Sequence, residues 1–290
     1  MSLQIALNGL ALGSVYALIS TGFSIIFNVL KFSNFSHGAM MTFSAFSGYY
    51  LAAASGMGLV PTVLVAILTG AAVALMGEFV AFRRLLIRGT SPIYFFVSSI
   101  TLGTLLEGLV TLKVGANFYN YPRFFKSATI KLGSLVVSTS DAIMFVCSFI
   151  ALVLLAYLVQ KTKMGRALRS VSFDRDTASL MGIDVTRAIQ FAFILAGALA
   201  GLAGVFLGIN YTLYPTLGSL VVKGFVASVI GGLGSLPGAV IGAMLLGVVE
   251  TLLTHWVGSG YTPVFTFLIM LVFLLVRPQG ISGSNVQEKA

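Results

Sequence analysis

The stretch AIQFAFILAGALAGLAGVFLGI, residues 188–209, carries no charged side chain and is long enough to cross a bilayer as a helix, which takes about 20 residues. Apolar runs of this kind recur along the chain. Of its 290 residues, 58% are hydrophobic and 9% are charged, and the mean hydropathy is +1.02. This composition lies outside the range of soluble domains. We therefore predict an all-α, polytopic bundle of transmembrane helices that forms one domain over residues 1–290.

The number and direction of the membrane segments follow from these runs and from the basic residues. Eight or nine segments are expected, and the candidate runs lie at about 3–28, 36–54, 61–82, 92–112, 141–160, 188–209, 218–233, 237–256 and 262–276. Cytoplasmic loops carry an excess of Lys and Arg. Nine crossings with an external N-terminus and a cytoplasmic C-terminus leave 12 basic residues inside and four outside. The run at 218–233 is the weakest, since it is short and contains Lys223, and without it the C-terminus would lie outside.

The segment KTKMGRALRSVSFDRDTASLMGIDVTR, residues 161–187, holds nine of the 25 charged side chains of the chain. Ser172 or Asp174 as an N-cap, Asp176 in the first turn and Gly182 at the end predict a helix of about two turns. This helix would expose three apolar residues among its charges: Ala178, Leu180 and Met181. Such residues fit either docking to a partner or a helix lying on the lipid headgroups, and the pattern leaves both open.

Glycines predict close contacts between helices. Gly197, Gly201, Gly204 and Gly208 are spaced four, three and four residues apart, which leaves one helical face without side chains. Because helices in lipid associate through packing, we expect tight contacts here, with a sliding surface as the alternative. The glycine-rich segment 230–242 is either a tight turn at the cytoplasmic face or a helix break beside a substrate site.

Five polar residues in or beside apolar runs are candidates for a substrate path: Asn8, Tyr16, Asn34, Ser36 and Lys223. The alternative for each is a hydrogen bond that ties helices together. Lys223 is notable because a lysine inside a membrane is costly without a partner, and we suggest Glu250 as that partner. His37 is expected at the inner boundary with Lys31.

Several stretches resemble the LivH-type permease subunits of the branched-chain amino acid ABC importers. They are NGLALGSVYALISTGFSIIFNVLKFSNFSHGAMM (8–41), KTKMGRALRS (161–170), DRDTASLMGIDVTRAIQFAFILAGALAGLAGVFLG (174–208), VIGGLGSLPGAVIGAMLLGVVE (229–250) and VRPQGI (276–281). The resemblance implies a non-catalytic ABC-importer permease domain in the cell inner membrane. It also implies a LivM-type second permease, two cytoplasmic ABC ATPases and an external solute-binding protein as partners. The implied substrates are branched-chain or other small amino acids, with urea or short-chain amides as the alternative.

Residues 161–187 also resemble the EAA-type loop through which such permeases contact their ATPases. Ala178 and Gly182 match the second alanine and the glycine of that pattern, whereas Asp176 and Thr177 replace its opening Glu-Ala. The resemblance thus implies five residues in ATPase coupling: Asp176, Ala178, Leu180, Met181 and Gly182. No GxxxxGK[ST] sequence is present, so we expect no cofactor in this chain and ATP with magnesium in the partner ATPases.

Other classes of function fit the sequence less well. An ion-coupled secondary transporter needs ionisable groups along its path, but Glu78, Glu107, Glu250 and His255 form no chain across the bilayer. A passive channel gives no reason for a docking segment. No cluster of nucleophile, base and metal ligands suggests an enzyme or a metal site. The net charge of +9 is spread over loops between apolar runs, so nucleic acid is not an expected partner.

Overall fold

The computed structural model describes residues 2–125, 129–132, 135–277 and 279–282. Within these residues the helices are α1 (Ser2–Leu30), α2 (Ser36–Ser55), α3 (Leu59–Gly77), α4 (Arg83–Ile87), α5 (Pro92–Val114), α6 (Thr139–Lys161), α7 (Lys163–Phe173), α8 (Arg175–Leu180), α9 (Val185–Asn210), α10 (Val221–Gly231), α11 (Leu236–Val257) and α12 (Thr262–Val276). A π-helical segment, Glu78–Phe82, joins α3 to α4, and a 3-10 helix, Leu217–Leu220, precedes α10. The predicted helical bundle is confirmed. An antiparallel hairpin of β1 (Thr129–Leu132) and β2 (Leu135–Ser138), which the sequence analysis did not predict, is added to it.

Six helices in the described part of the chain are long and apolar enough to cross a membrane. They are Gln4–Leu30, Leu59–Ile87, Pro92–Val114, Thr139–Lys161, Val185–Asn210 and Leu236–Val257. Two of the other predicted runs hold the shorter apolar helices Leu217–Gly231 and Thr262–Val276, and α2 occupies the remaining one. The count of nine crossings stays a prediction. Lys126 and Lys289, which entered the count of basic residues, lie outside the described residues.

The glycines of α9 allow the close packing that their spacing predicts. A Cβ atom at Gly197 or Gly201 would overlap the backbone carbonyl oxygen of Gly70 or Ala66 on the antiparallel helix α3. Gly204 also lies too close to the backbone of α2, at Met41, to leave room for a Cβ atom. Since only hydrogen atoms separate these backbones, dispersion contacts replace the hydrophobic force that lipid does not provide.

The longest helix, α1, packs along α11 in the opposite direction. Gly9 of α1 lies against Val248, whereas Asn28, near the other end of α1, lies beside Gly234 in the turn before α11. Gly232 and Ser235 form that turn through a backbone hydrogen bond of 3.0 Å. The structure therefore shows a tight turn in the glycine-rich segment 230–242.

The π-helical segment places a buried carboxylate, that of Glu78, beside its ion-pair partner. Glu78 is buried, and its two oxygens accept hydrogen bonds of 3.3 and 2.9 Å from Nε and Nη2 of Arg83. A π-helical turn places residues five positions apart above one another, so it brings this guanidinium to the carboxylate. Glu78 is thus paired near the end of its helix.

α2 begins inside the bundle and not at the level where α1 ends. The imidazole of His37 lies against Gly22, eight residues before the end of α1 and therefore about 12 Å from it at 1.5 Å per residue. The expected boundary position of His37 is wrong, because its side chain is completely buried. Phe32 packs on the rings of Phe82 and Phe95, and these apolar contacts turn the connection after α1 back into the bundle.

α10 also begins inside the bundle, where Gly224 lies against Ile19 of α1. Its 11 residues span about 16 Å, roughly half of a hydrocarbon core. The preceding chain supplies the remaining length: Leu213 pairs with Tyr119 at the end of the bundle that holds the start of α1, and the 3-10 helix follows. The weakest predicted segment, 218–233, therefore consists of most of a 3-10 helix followed by the short helix α10.

The last described residues, 279–282, lie at the opposite end of the bundle from the start of α1. The Ile281 N–H donates to the carbonyl of Ile230, at the end of α10, over 2.9 Å. At the other end, the Gln4 side chain bonds both backbone groups of Val136 in β2. Segment 161–187 shares the end that holds residues 279–282, since Arg175 bonds to the last turn of α1.

Candidate functional site

A polar cavity of about 1090 Å³ lies among α1, α6, α9, α10, α11 and α12. Along α1 it extends from Ile5 to Tyr16, about 16 Å at 1.5 Å per residue. Its polar lining comes from six elements and their connections: Asn8, Tyr16, Asp141, Asn210, Tyr211, Thr212, Tyr214, Lys223, Glu250, Thr251, Thr254, His255, Ser259 and Thr262. Three of the five candidates for a substrate path thus line this one cavity: Asn8, Tyr16 and Lys223.

An ion pair stands at the deep end of this cavity. Lys223 Nζ donates to Glu250 Oε1 and, over 3.1 Å, to the hydroxyl oxygen of Tyr16. The suggested pairing of Lys223 with Glu250 is confirmed. Glycine contacts create this meeting point, because Gly224 brings α10 against α1 and Gly247 brings α11 against Gly13 of α1.

The outer part of the cavity contains a second carboxylate that the sequence analysis missed. Asp141, in the first turn of α6, accepts a hydrogen bond of 2.6 Å from the Asn210 side chain at the end of α9. Acidic residues are common at helix starts because they interact favourably with the helix dipole, so the position of Asp141 in the sequence does not indicate a cavity. Thr251 and Thr254 on α11 were also missed, although Thr254 lies four positions after Glu250 and so on the same helical face.

Asn34 and Ser36 do not line this cavity. Both are buried, and Asn34 Oδ1 accepts hydrogen bonds from the Ser36 backbone N–H at 3.2 Å and from its hydroxyl at 2.6 Å. These bonds stabilise the start of α2 inside the bundle, where an unpaired N–H group would be costly. The contacts of Asn34 and Ser36 are thus those of residues that stabilise the start of a helix.

The charged segment 161–187 folds into two short helices, α7 and α8. Asp174 caps α8 by accepting from the Thr177 N–H over 2.9 Å, and Gly182 ends it with a φ of 79°. The same hydrogen bond lowers the pKa of the Asp174 carboxyl. The two-turn helix and its cap are as the sequence predicts, whereas α7 was missed. Its cap is Thr162, which accepts from the Gly165 N–H over 3.0 Å.

The exposure of the apolar residues in this segment differs from the expectation at one position. Leu180 and Met181 are 87% and 79% exposed, and Phe173, which was not singled out, is 96% exposed. Ala178 is only 4% exposed, so its expected exposure is wrong. The reason is that α8 packs on α7 and α9, and the Ile183 N–H folds back to the Ala178 carbonyl over 3.1 Å.

Arg175 joins the charged segment to the helix that lines the cavity. Its Nε and Nη2 atoms donate to the carbonyl oxygen of Val29, in the last turn of α1, over 3.2 and 2.5 Å. Burial lowers the pKa of this guanidinium, but arginine remains protonated in proteins. A charged side chain therefore bridges α8 and α1.

A polytopic helical bundle with a polar cavity on one side and a charged segment at the opposite end has the architecture of a membrane permease. Residues 5–276 match a family model described as branched-chain amino acid transport system, permease component. The chain is 33% identical to the high-affinity branched-chain amino acid transport system permease protein LivH of Salmonella typhimurium, over 99% of this chain and 97% of that protein. It is 32% identical, with the same coverage, to the corresponding permease protein BraD of Pseudomonas aeruginosa.

This chain belongs to the family of branched-chain amino acid transport permease components, as the resemblance in its sequence predicts. Its fold is also similar to that of a chain in the structure of PsaBC from Streptococcus pneumoniae in complex with Fab. The TM-score is 0.52, the identity is 16%, and the alignment covers 94% of this chain and 91% of that chain. At this identity the likeness concerns the fold alone.

Proposed function

We propose that the chain is the membrane permease subunit of an ATP-driven importer for branched-chain or other small amino acids. One observation carries the proposal: segment 161–187 presents exposed Leu180 and Met181 and is bonded through Arg175 to α1, which lines the cavity. A surface that is fixed to the cavity wall in this way can convert movement of a docked partner into movement of the wall. The names of the two full-length relatives support the substrate class.

The partners follow from this arrangement. The importer has two ABC ATPases, which hold ATP and magnesium, and one of them docks on segment 161–187, so this end of the bundle and residues 279–282 face the cytoplasm. The cavity lies toward the other end, where an external solute-binding protein delivers the amino acid. A second permease of the LivM type completes the membrane unit in the cell inner membrane, and this chain itself catalyses no reaction.

Transport in this scheme proceeds by alternating access. ATP binding closes the two ATPases, and α8 transmits the movement to the end of α1 through Arg175. The pairs α1–α11 and α9–α3 then move as rigid bodies, because their glycine contacts leave no room for side chains to rearrange. The cavity opens alternately to the two sides.

The docking role is tested with the doubly substituted Leu180→Asp, Met181→Asp permease, reconstituted with its ATPases and binding protein. We expect ATP-dependent leucine uptake and co-purification of the ATPases to be lost, because two carboxylates replace exposed apolar contacts. The matched control is Leu233→Asp, which changes an exposed leucine at the same end of the bundle but outside the segment. Full uptake by the double variant would refute the docking role.

The orientation is tested by labelling. Ser179 is exposed on α8, and Cys147 is the only cysteine of the chain, so Ser179→Cys in a Cys147→Ala background introduces one reactive thiol. A membrane-impermeant maleimide is expected to label inverted vesicles and not right-side-out vesicles. Labelling from the periplasmic side would overturn the proposed topology and, with it, the docking of ATPases at this segment.

A further inference from the structure

We propose that the Lys223–Glu250 pair is the point at which the permease recognises its substrate as a zwitterion. Lys223 receives the α-carboxylate and Glu250 receives the α-ammonium group. This inference rests on the proposed function and makes it more specific, because it assigns the selection of a substrate charge pattern to two residues of the permease.

Hydrogen-bonding capacity at the pair is incomplete. An ammonium group has three donors, and Lys223 uses two of them for Tyr16 and Glu250. Among the described residues, Glu250 Oε2 is buried and has no hydrogen-bond partner. Buried polar atoms are normally paired, so an acceptor without a partner at the wall of a cavity calls for a ligand donor. An α-ammonium group beside this oxygen supplies it.

The exposure of the two side chains places the pair at the boundary between protein and cavity. The Lys223 side chain is 24% exposed and that of Glu250 is 9% exposed. A ligand in the cavity therefore reaches Lys223 first. Its carboxylate can bind the free donor of Lys223 while its ammonium group approaches the carboxylate of Glu250 on the neighbouring helix α11.

The other groups around the cavity favour a ligand with both charges. Asp141 on α6 adds a second carboxylate, α11 also contributes His255, and the α1, α9 and α12 side chains that line the cavity are uncharged. A simple carboxylate meets two negative side chains and one positive one, so repulsion opposes it. A simple amine supplies no counter-ion for Lys223. Urea and short amides carry no charge for either side chain.

The pair can open without leaving an isolated charge only when a zwitterion is present. Separating a half-buried lysine from a buried carboxylate is unfavourable, since each loses its counter-ion where little water can replace it. A zwitterion offers a carboxylate to one group and an ammonium to the other. The exchange keeps every charge paired while α10 and α11, which carry the two residues, move apart.

A purely structural ion pair would behave differently on substitution. Well-packed apolar residues of similar volume commonly replace a buried ion pair with no loss of stability. The doubly substituted Lys223→Met, Glu250→Met permease should therefore fold and assemble whichever role the pair has. A role in recognition predicts that this variant assembles and fails to transport, whereas a purely structural role predicts that it assembles and transports normally.

The first experiment uses the complete importer in proteoliposomes, with its binding protein and L-leucine. We expect the double variant to assemble and melt like the wild type, while leucine uptake falls by about 30-fold or more, the effect of removing a buried charge partner. The matched control, Glu107→Met with Lys113→Met, removes one carboxylate and one ammonium group from α5, outside the cavity, and should keep uptake near the wild-type rate. Wild-type uptake by the double variant overturns the inference.

The second experiment needs neither ATPases nor binding protein. Thr254→Cys in a Cys147→Ala background places a thiol in the cavity, and ligands are tested for protection of this thiol from a maleimide. L-Leucine should slow the labelling, whereas 4-methylpentanoate, which lacks the ammonium group, and 3-methylbutylamine, which lacks the carboxylate, should not. Adding Lys223→Met and Glu250→Met should abolish the protection.

The two experiments separate failure of the inference from failure of the proposed function. Equal protection by leucine and by either analogue, or protection that survives the double substitution, overturns the zwitterion site. A wild-type complex that does not import leucine, with protection intact, overturns the proposed importer and leaves the site supported.

Discussion

Arg175 should determine how efficiently ATP hydrolysis drives transport. The substitution Arg175→Met keeps most of the aliphatic stem and removes the guanidinium that bonds the Val29 carbonyl over 3.2 and 2.5 Å. A hydrogen bond from a charged donor contributes about 1.5–3 kcal/mol. At about 1.4 kcal/mol for each factor of ten, loss of this bond weakens the connection between α8 and α1 by roughly 10- to 100-fold.

The assay measures leucine uptake and ATP hydrolysis in the same proteoliposomes. We expect the Arg175→Met complex to hydrolyse ATP and to transport about tenfold less leucine per ATP, because the ATPases still dock but no longer move α1. The matched control is Arg187→Met. Arg187 belongs to the same segment, but its guanidinium is exposed and pairs with Asp184 over 3.0 Å, a contact worth about 0–1 kcal/mol.

The control should leave the ratio of uptake to hydrolysis unchanged. If Arg175→Met also left this ratio unchanged, the bond between Arg175 and α1 would have no part in coupling. If Arg175→Met and Arg187→Met both lost ATPase binding, the substitutions would have damaged the docking surface itself. The proposed role of Arg175 in transmitting movement to α1 would then be refuted.

Two further predictions concern stability and pH. Gly201→Val should lower the melting temperature of the permease in detergent, because the added side chain overlaps the Ala66 carbonyl and such overpacking costs about 1–3 kcal/mol. Gly108→Val, on the open face of α5, should leave the melting temperature unchanged. Equal melting temperatures would contradict the close approach of α9 and α3. Asp174 should protect the Thr177 amide from hydrogen exchange above the ordinary pKa of its carboxyl, and this protection should disappear as the pH falls through the lowered pKa of the folded state. Asp174→Asn keeps a hydrogen-bond acceptor that does not titrate, so the protection of the Thr177 amide in this variant should not change as the pH falls. If the variant lost this protection over the same pH range, the Asp174 carboxylate would be excluded as the cause.

The sequence predicts those parts of the fold that depend on neighbours along the chain. Apolar runs of membrane length give the helices, and the four glycines of α9 give a contact face, because both follow from the helical repeat. The cap at Asp174 and the end of α8 at Gly182 are likewise local. Such features need no knowledge of which helix lies beside which.

Features that depend on distant contacts could not be predicted in this way. His37 was expected at a boundary because nothing in its own stretch shows that Phe32 packs on Phe82 and Phe95 and draws α2 inward. Ala178 was expected to be exposed because its burial comes from the packing of α8 on α7 and α9. Asp141 joins the cavity only because α9 ends beside it.

The pairing of Lys223 with Glu250 is the exception, since it joins distant residues and was still predicted. The cost of an unpaired lysine in a membrane limits the choice of partner to the few acidic residues in apolar runs. Strong energetic demands can thus identify a long-range contact when periodicity cannot.

The contact of residues 281 and 282 with α10 has a consequence for how the protein is made. The N–H groups of Ile281 and Ser282 donate to the carbonyls of Ile230 and Gly231, each over 2.9 Å, so the end of α10 is completed by residues that leave the ribosome after α12. A nascent chain that stops after α12 lacks these two donors, so the two carbonyls at the corner between α10 and α11 must bond to water instead. The corner between α10 and α11 is therefore closed only after residues beyond α12 have been synthesised.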